Sequence, residues 1–467
     1  MVQLFRVFIP VSVIGLIISE FLLVFACYLC GSVLLTQFVN PDFSLLIFVQ
    51  NEAGLFKIAV VVICIVAGLY FQNLYSNFRV RSLTILIQQL CLVIGCAFLL
   101  QALFAYLKRP EWALARWGMI FGSVLTLILI PAWRLVYGNY VLRALGGQRV
   151  LFLGTSEVVR EIAAHLHAHP EIGMNILGYV DNEDMGTLPG GRILASIEEF
   201  PDLARKLRPD LVVVGTSERR QELPMDQMLH LRFSGIHFEE AAVTFEAAFG
   251  RVLTRQMRPS RLIFSSDLGP RKRSLFLHSL YSWPIALILT VLFAPIMLIV
   301  AILVRLTSPG PILHKQARVG LNDSVFTVYK FRSMYADAEA RTGAVWAKKD
   351  DPRITPLGKW LRRLRFDEFP QLFNVLRGEM SLVGPRPERP EFVKLLTQQI
   401  PFYSYRHCVK PGITGWAQIN YKYGDTLEDA IMKLEYDLYY IKNLAISLDT
   451  FIIFHTLKVM LFSETAQ

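Results

Sequence analysis

The sequence contains few charged residues, and almost all of its cysteines lie within apolar stretches. Asp, Glu, Lys and Arg make up 18% of the 467 residues, whereas 53% are hydrophobic. The mean hydropathy of +0.41 is too high for an ordinary soluble enzyme. Only one of the six cysteines, Cys408, lies outside the apolar stretches, so we expect no disulfide framework. None of the usual nucleic-acid-binding motifs occurs, and we expect no nucleic-acid partner.

A second Cys or His pair is also missing near Cys27 and Cys30, which have the CxxC spacing of some metal and redox sites. Apolar residues surround both, so we interpret them as small buried hydrophobic side chains rather than as ligands.

What the chain does have is long apolar stretches, four of them in residues 1–148. They cover residues 7–35, 55–74, 83–107 and 117–136, and each is long enough to cross a bilayer. The connection with Asp42 and Glu52 is acidic, whereas the one with Arg79 and Arg81 is basic. Because cytoplasmic loops are rich in Lys and Arg, this predicts a four-helix transmembrane domain followed by a cytoplasmic chain.

A small α/β domain is predicted for residues 149–262. Strands are expected at 149–154, 176–180 and 211–215, with a helix from about Glu157. A dinucleotide fingerprint needs three glycines after the first strand, but only Gly154 is present. We therefore interpret this segment as a Rossmann-like module with a structural or regulatory role, and nucleotide binding by it stays open.

Another apolar stretch, residues 281–304, is basic on both sides, which contradicts the charge asymmetry of a single span. Pro295 near its middle removes a helix hydrogen bond and bends the chain. These features predict a re-entrant helix over about 275–306, within a last domain of residues 271–467. A kinked fifth span is the alternative. The terminal stretch 444–462 is predicted to be an amphipathic helix in the membrane interface.

Two adjacent carboxylates, Asp367 and Glu368, stand just before a stretch with helical apolar spacing. The N-terminus of a helix attracts phosphate groups. A carboxylate pair among arginines could bind Mg²⁺ while one of the two carboxylates attacks a phosphate as nucleophile. The alternative is a helix N-cap with surface ion pairs.

Cationic side chains are concentrated in the same last domain, which has 26 Lys and Arg against 17 Asp and Glu. Arg386 lies between Pro385 and Pro387, which fix its backbone and present the guanidinium to phosphate oxygens. Lys330 and Arg332 add two cations on a short strand. A basic domain beside a membrane suits lipid headgroups and phosphorylated substrates. A rigid loop with a solvated arginine is the alternative for Arg386.

An ordered series of motifs gives these features a common context. It consists of SPGP (308–311), KFRSM (330–334), DEFPQLFNVLRGEMSLVGPRPE (367–388) and KPGITGWAQIN (410–420). From about residue 271 onward the chain resembles the bacterial sugar transferase family, the polyprenyl-phosphate hexose-1-phosphate transferases. The layout is similar to the large members, in which four membrane helices and a Rossmann-like domain precede a monotopic α/β catalytic domain.

The resemblance implies a function and roles for particular residues. Asp367 is expected to attack the β-phosphate of a UDP-sugar, to release UMP and to pass the sugar phosphate to undecaprenyl phosphate. Glu368 is expected to assist with Mg²⁺ or protons, Arg362 to contact phosphate, and the 385–387 segment with Arg386 to bind the nucleotide. The resemblance also implies that Pro295 breaks a re-entrant helix at the inner membrane of a bacterium.

Some positions differ from the family pattern, and other functions stay open. His314 stands where an apolar or aromatic residue is usual, and Phe366 stands where Leu is usual. The residues after Asn420 are similar to those of a subgroup associated with exopolysaccharides. A homodimer is a further expectation. The alternatives are a membrane-anchored regulator and a nucleotide-sugar dehydratase or oxidoreductase, although no YxxxK pair accompanies the α/β domain.

Overall fold

A computed structural model describes most of the chain. The described residues are 2–4, 7–9, 11–39, 48, 53–72, 74–75, 83–107, 109, 112–138, 147–169, 172–182, 188–215, 223–256, 272–335, 351–421, 424 and 426–462. Asp42, Glu52, Arg79 and Arg81, on which the predicted membrane orientation depends, lie outside the described residues. The chain divides into two compact units, whose main parts are Ile9–Glu240 and Ala241–Gln467.

The first unit begins with long apolar helices, as the sequence predicted. These helices are α1 (Val11–Val39), α2 (Gly54–Phe71), α3 (Leu83–Tyr106) and α4 (Arg116–Val136). Two short strands, β1 (Val2–Leu4) and β2 (Val7–Ile9), precede them in the chain, and residues Gln3–Phe8 are part of the second unit. All four helices are long and apolar enough to cross a membrane. The chain is therefore a membrane protein.

A buried ion pair joins α1 to α4. Arg134 Nε lies 2.5 Å from Glu20 Oε1, and side-chain exposures are 1% and 0%. The hydroxyl of Tyr75 donates to the other carboxylate oxygen at 2.7 Å, and Arg134 Nη1 donates to the carbonyl of Leu74 at 3.0 Å. Burying charges in an apolar helix bundle is costly unless each is paired, and here both are.

A five-stranded parallel sheet forms the rest of the first unit. The strands are β3 (Gln148–Leu153), β4 (Met174–Val180), β5 (Ile193–Ala195), β6 (Leu211–Val214) and β7 (His237–Glu240), in the order β5-β4-β3-β6-β7. Helix α5 (Glu157–Ala168) follows β3, α6 (Phe200–Leu207) follows β5 and α7 (Met225–Phe233) follows β6. The predicted α/β region with a parallel sheet is confirmed, and β5 and β7 are additional strands.

The turn after β3 is closed by an acidic residue from the end of β4. Gly154 has φ +100°, and the next residue, Thr155, donates to Asp181 Oδ2 from its backbone nitrogen (2.8 Å) and its hydroxyl (2.5 Å). In dinucleotide-binding folds an acid in this region contacts the ribose. Here that carboxylate is already engaged by the turn itself.

The second unit contains a long helix and a mixed α/β fold. Its main part begins with α8 (Ala241–Phe249) and a 3-10 helix (Thr254–Gln256), followed by α9 (Lys272–Thr307) and the antiparallel hairpin of β8 (Leu313–Val319) and β9 (Val325–Phe331). A 3-10 helix (Leu321–Asp323) forms the turn of that hairpin. Next come α10 (Pro356–Arg363), a 3-10 helix (Phe366–Glu368), α11 (Gln371–Leu376), β10 (Ser381–Val383) and α12 (Pro390–Gln399). The last elements are a 3-10 helix (Tyr403–Cys408), β11 (Gly412–Thr414), α13 (Trp416–Asn420), α14 (Leu427–Lys442) and α15 (Ile446–Phe462).

Helix α9 corresponds to the predicted re-entrant segment. It is a single helix of 36 residues with Pro284 and Pro295 inside it, and residues 274–307 are apolar enough to cross a membrane. At 1.5 Å per residue it measures about 54 Å, which exceeds a hydrocarbon core of about 30 Å. Both a bent helix that returns and a tilted span are compatible with that length.

Polar side chains fix the first half of α9 to the α/β fold. His278 Nε2 lies 3.0 Å from the carbonyl of Val383, and the hydroxyls of Ser282 and Ser381 lie 2.8 Å apart. Both contacts are made with residues of β10, the strand that leads into the 385–387 loop. These contacts therefore fix the position of α9 relative to the strand that precedes the loop.

Candidate active site

Asp367 and Glu368 lie on the 3-10 helix between α10 and α11. Thr355 caps α10 by accepting a hydrogen bond from Gly358 N at 2.9 Å. Arg365 then adopts a left-handed conformation with φ +56°, which reverses the chain just before the carboxylates. A non-glycine residue in this region costs about 1–2 kcal/mol. The local backbone is therefore under strain where it presents the pair, and each carboxylate residue is 8% exposed.

Two predicted site cations converge on Glu368. Lys330 Nζ, at the end of β9, lies 3.0 Å from Glu368 Oε1. Arg386 Nη2, in the 385–387 loop, lies 3.0 Å from the same oxygen. The structure therefore brings two predicted cations, which are 38 and 18 residues from Glu368 in the chain, to the adjacent carboxylates. Asp367, by contrast, accepts no hydrogen bond from any residue that the structure describes.

The two carboxylates differ in acidity because their neighbours differ. Burial raises the pKa of Asp367, and the charge of Glu368 raises it further. Burial acts in the same direction on Glu368, but Lys330, Arg386 and Arg365 outweigh it and hold its pKa well below the usual range. Two adjacent carboxylates with separated pKa values are typical of sites in which each has its own chemical role.

Aromatic rings connect the pair to the long apolar helix. The ring of Phe369, directly after Glu368, stacks on Phe293 of α9 with 4.7 Å between centroids. Phe366, directly before Asp367, lies 5.0 Å from Phe369. Pro295, the predicted helix break, lies two residues beyond Phe293 in the same helix. The carboxylates therefore lie beside the apolar helix, and the rings explain part of their burial.

Arg362 and Arg332 lie near this region with different partners. Arg362 Nε donates to Ser333 Oγ at 3.0 Å, and its charge also lowers the pKa of Asp367. Arg332 is 5% exposed, and its Nη2 donates to the carbonyl of Ser308 at 2.6 Å and to Ser308 Oγ at 2.8 Å. Arg332 thus binds the C-terminal end of α9, and within the part of the chain that the structure describes it donates no hydrogen bond to either carboxylate.

Pro385, Arg386 and Pro387 form a loop that the structure anchors on both sides. Arg318 of β8 donates from Nη1 to the carbonyl of Pro387 at 2.9 Å, and the backbone nitrogen of Gly412 donates to the carbonyl of Pro385 at 3.0 Å. Between these anchors the Arg386 side chain turns toward Glu368. That the loop presents this arginine to phosphate oxygens stays a prediction.

The sequence did not indicate the residues behind the loop. Arg406 donates to the carbonyl of Arg386 at 3.1 Å and to Asp437 Oδ2 at 2.6 Å. Asp437 and Glu435 stand in the run LEYDLYYI of α14, where acids among apolar and aromatic residues indicate buried, paired charges. That pattern was available in the sequence, but the pattern did not identify the partner of Asp437.

The carboxylates are also the candidate metal ligands. Within the described residues, no three or more His, Cys, Asp and Glu side chains are arranged so that they could hold a metal ion by themselves. Mg²⁺ commonly takes one or two protein carboxylates and completes its shell with water and substrate phosphates. Asp367 and Glu368 fit that pattern, because carboxylate oxygens are hard donors. Both ion pairs of Glu368 use its Oε1, so its Oε2 is left for a metal ion.

Comparisons with known proteins agree with the resemblance. The family model described as Bacterial sugar transferase matches residues 273–463. An Aeromonas hydrophila UDP-N-acetylgalactosamine-undecaprenyl-phosphate N-acetylgalactosaminephosphotransferase is 49% identical over 176 residues, which are 38% of this chain and 41% of that protein. The undecaprenyl-phosphate glucose phosphotransferase of Komagataeibacter xylinus is 34% identical over 327 residues, 68% of this chain and 60% of that protein.

The similarity covers most of the chain in a third relative. The UDP-glucose:undecaprenyl-phosphate glucose-1-phosphate transferase of Xanthomonas campestris pv. campestris is 31% identical over 409 residues, 84% of each chain. The matched part thus spans about two fifths, three fifths and more than four fifths of these three relatives. With this coverage, and with the predicted carboxylates and cations gathered in the matched region, the chain belongs to the bacterial sugar transferase family.

Proposed function

We propose that this protein transfers a hexose 1-phosphate from a UDP-sugar to undecaprenyl phosphate at the cytoplasmic face of a bacterial inner membrane. The names of all three relatives include undecaprenyl phosphate, and two of them also include a UDP-sugar, which supports these two substrates. The proposal rests on one observation: a buried Asp367 without a hydrogen-bond partner among the described residues lies beside Glu368, whose charge is compensated by two cations. A nucleophilic carboxylate needs free lone pairs and reduced solvation.

In the first step, an oxygen of Asp367 attacks the β-phosphorus of the UDP-sugar. A bond forms between that oxygen and phosphorus, and the bond from phosphorus to the bridging oxygen breaks. UMP leaves with the bridging oxygen, and the sugar phosphate stays on Asp367 as an acyl phosphate. Two steps of this kind suit a transfer between a water-soluble donor and a lipid acceptor.

In the second step, a phosphate oxygen of undecaprenyl phosphate attacks the same phosphorus. The bond between phosphorus and Asp367 breaks, the carboxylate is restored, and the product is an undecaprenyl diphosphate sugar. The stacking of Phe369 on Phe293 of α9 supports a site close to the lipid. We propose that α9 is re-entrant and bends at Pro295, and that the product starts an exopolysaccharide repeat unit.

The four cations have different electrostatic roles. Arg386 and Lys330 hold Glu368 ionised, and the same side chains stabilise the negative diphosphate of the donor. Arg362 contacts phosphate from α10, and Arg332 adds positive charge at the end of α9. Because its pKa is low, Glu368 is a weak proton acceptor near neutral pH, so its main contribution is to orient the two cations.

Asp367 and Glu368 would hold Mg²⁺ together with oxygens of the substrate. When bound, the ion would neutralise charge on the diphosphate and so favour attack by an anionic carboxylate.

The decisive experiment is UMP release from a panel of UDP-sugars by the full-length protein in detergent, with undecaprenyl phosphate and Mg²⁺. We expect release with at least one UDP-sugar and a loss of at least about 10³-fold in Asp367→Asn, since removal of a nucleophile is among the most costly changes in an active site. Asp181→Asn, in the first unit, is the matched control and should retain activity. Mass spectrometry without acceptor should find a sugar phosphate on Asp367. An adduct on another residue, or wild-type activity in Asp367→Asn, would refute the proposal.

A further inference from the structure

The 385–387 loop is held by three successive carbonyls, each bound to a different element. The carbonyl of Pro385 accepts from Gly412 N at 3.0 Å, that of Arg386 accepts from Arg406 Nη2 at 3.1 Å, and that of Pro387 accepts from Arg318 Nη1 at 2.9 Å. A loop fixed at three consecutive residues has little freedom to reorient. The direction of the Arg386 side chain is therefore set by its backbone anchors.

The middle anchor differs from its neighbours because a buried ion pair supports it. Arg406 is 4% exposed and Asp437 is 1% exposed, and Arg406 Nη2 lies 2.6 Å from Asp437 Oδ2. The same nitrogen donates to both Asp437 and the Arg386 carbonyl. Arg406 Nη1 donates to the hydroxyl of Tyr403 at 2.7 Å. The guanidinium is thus fixed by α14 on one side and by the loop on the other.

Arg386, whose carbonyl is bound by Arg406, also contacts Glu368 of the carboxylate pair. Arg386 accepts from Arg406 through its carbonyl and contacts Glu368 through its guanidinium at 3.0 Å. We propose that Arg406 and Asp437 are positioning residues, which fix the Arg386 guanidinium for the UDP-sugar diphosphate without touching either substrate. This inference rests on the proposed function.

The chemistry of the pair supports a positioning role. Taking two charges out of water is costly, and a neutral donor would suffice to bind one carbonyl. An arginine, however, offers several donors in a fixed plane, so that one group can bind Asp437, Tyr403 and the loop in a single geometry. Small displacements of a substrate-binding group have large effects on rate. A rigid guanidinium behind Arg386 limits such displacements.

The chain offers a matched control on the same helix. Arg251 Nη1 lies 2.6 Å from Glu435 Oε2, with side-chain exposures of 11% and 3%. Glu435 stands two residues before Asp437 in α14. This second pair fixes the segment after α8 to α14, and Glu435 also accepts from the backbone nitrogen of Thr254 at 3.0 Å. Breaking it tests the stability of α14 without removing a loop anchor.

The test compares Asp437→Asn with Arg251→Gln in the full-length protein. We expect Asp437→Asn to raise the KM for the UDP-sugar roughly 10- to 100-fold, with the KM for undecaprenyl phosphate unchanged. Arg251→Gln should lower the temperature of half-unfolding while both KM values stay at wild-type levels. Arg406→Lys keeps the positive charge but loses the planar guanidinium. It should also raise the KM for the UDP-sugar alone, and it replaces Asp437→Asn in the test if that variant does not fold.

A double-mutant cycle shows whether Asp437 acts through Arg386. In an Arg386→Gln background, Asp437→Asn should change the donor KM less than about twofold, because the group that it positions is gone. Additive effects, or equal increases in both KM values, would refute a positioning role. If the wild-type protein released no UMP from any UDP-sugar, the proposed function itself would fail instead, so the two failures are distinguishable.

Discussion

Asp367 and Glu368 are adjacent and equally buried, yet among the described residues only Glu368 forms ion pairs with cationic side chains. Each is 8% exposed, but Lys330 and Arg386 both lie 3.0 Å from one oxygen of Glu368. The buried charge of Glu368 is thereby compensated, whereas that of Asp367 is destabilised by burial and by its neighbour. A less stabilised carboxylate is the better nucleophile of the two.

This difference predicts the pH dependence of the first step. Attack requires ionised Asp367, so kcat/KM for UMP release should fall as the pH drops through a pKa above the ordinary aspartate value of about 3.9. Lys330→Gln removes a cation that lowers this pKa, so the acid limb should move to higher pH. Glu368→Gln removes a like charge, so the limb should move to lower pH, although both variants lose rate.

A pH profile of residual UMP release in each variant is the measurement. Lys359→Gln, on the exposed side of α10, is the control for loss of one lysine and should leave the acid limb in place. A shift of Lys330→Gln and Glu368→Gln in the same direction would contradict the assignment of this limb to Asp367.

The ion pair between Glu20 and Arg134 predicts a different kind of sensitivity. Arg134→Met leaves a buried carboxylate without its cation, and this should cost about 3–5 kcal/mol. Glu20→Met with Arg134→Met removes both charges and should cost less, because no unpaired charge remains. Thermal unfolding in detergent measures both. A double variant that unfolds at a lower temperature than Arg134→Met would contradict this account of the pair.

Much of the site was predictable because its chemistry is concentrated in local motifs. The pair Asp367–Glu368, the rigid arginine loop and the basic strand each have a recognisable pattern of residue types. The convergence of Lys330 and Arg386 on one oxygen was not predictable from spacing, since 38 and 18 residues separate them from Glu368. Such contacts depend on how β9 and the loop pack, which no local pattern encodes.

The supporting residues were missed for a related reason. Arg406 and Asp437 are joined across 31 residues, and the target of Arg406 is a backbone carbonyl, which has no signature in a sequence. In the fold, long strands such as β3 were predictable from their apolar run, whereas β5 has three residues and β7 has the polar sequence HFEE. Pairing with neighbouring strands, rather than propensity, makes these two segments extended.

Close backbone contact at the base of the 385–387 loop gives another prediction. A Cβ atom at Gly412 would clash with the nitrogen of Gly384 and the carbonyl oxygen of Thr414. Gly412→Ala should therefore displace β10 from β11, destabilise the protein by about 2 kcal/mol or more, and raise the KM for the UDP-sugar. Thermal unfolding and donor titration measure the two effects.

Gly95→Ala is the control for this substitution, since an added Cβ at Gly95 meets nothing within 4 Å. An alanine in an open helical position should leave stability equal or slightly higher. If Gly412→Ala matched Gly95→Ala in stability and in donor KM, the close approach of the two strands would not constrain the loop.

The proposed re-entrant path of α9 predicts that the chain before this helix and the chain after it are exposed on the same side of the membrane. Arg205 in α6 and Lys315 in β8 are exposed positions of the first and second unit. If α9 returns to the face from which it enters, Arg205→Cys and Lys315→Cys should both resist a membrane-impermeant maleimide in intact cells and react in inside-out vesicles. The wild-type protein, with its six native cysteines, gives the background. If α9 instead crosses the membrane as a tilted fifth span, Lys315→Cys alone should react in intact cells. That result would place the carboxylates on the outer face, away from cytoplasmic UDP-sugars, and the proposed function would fail with it.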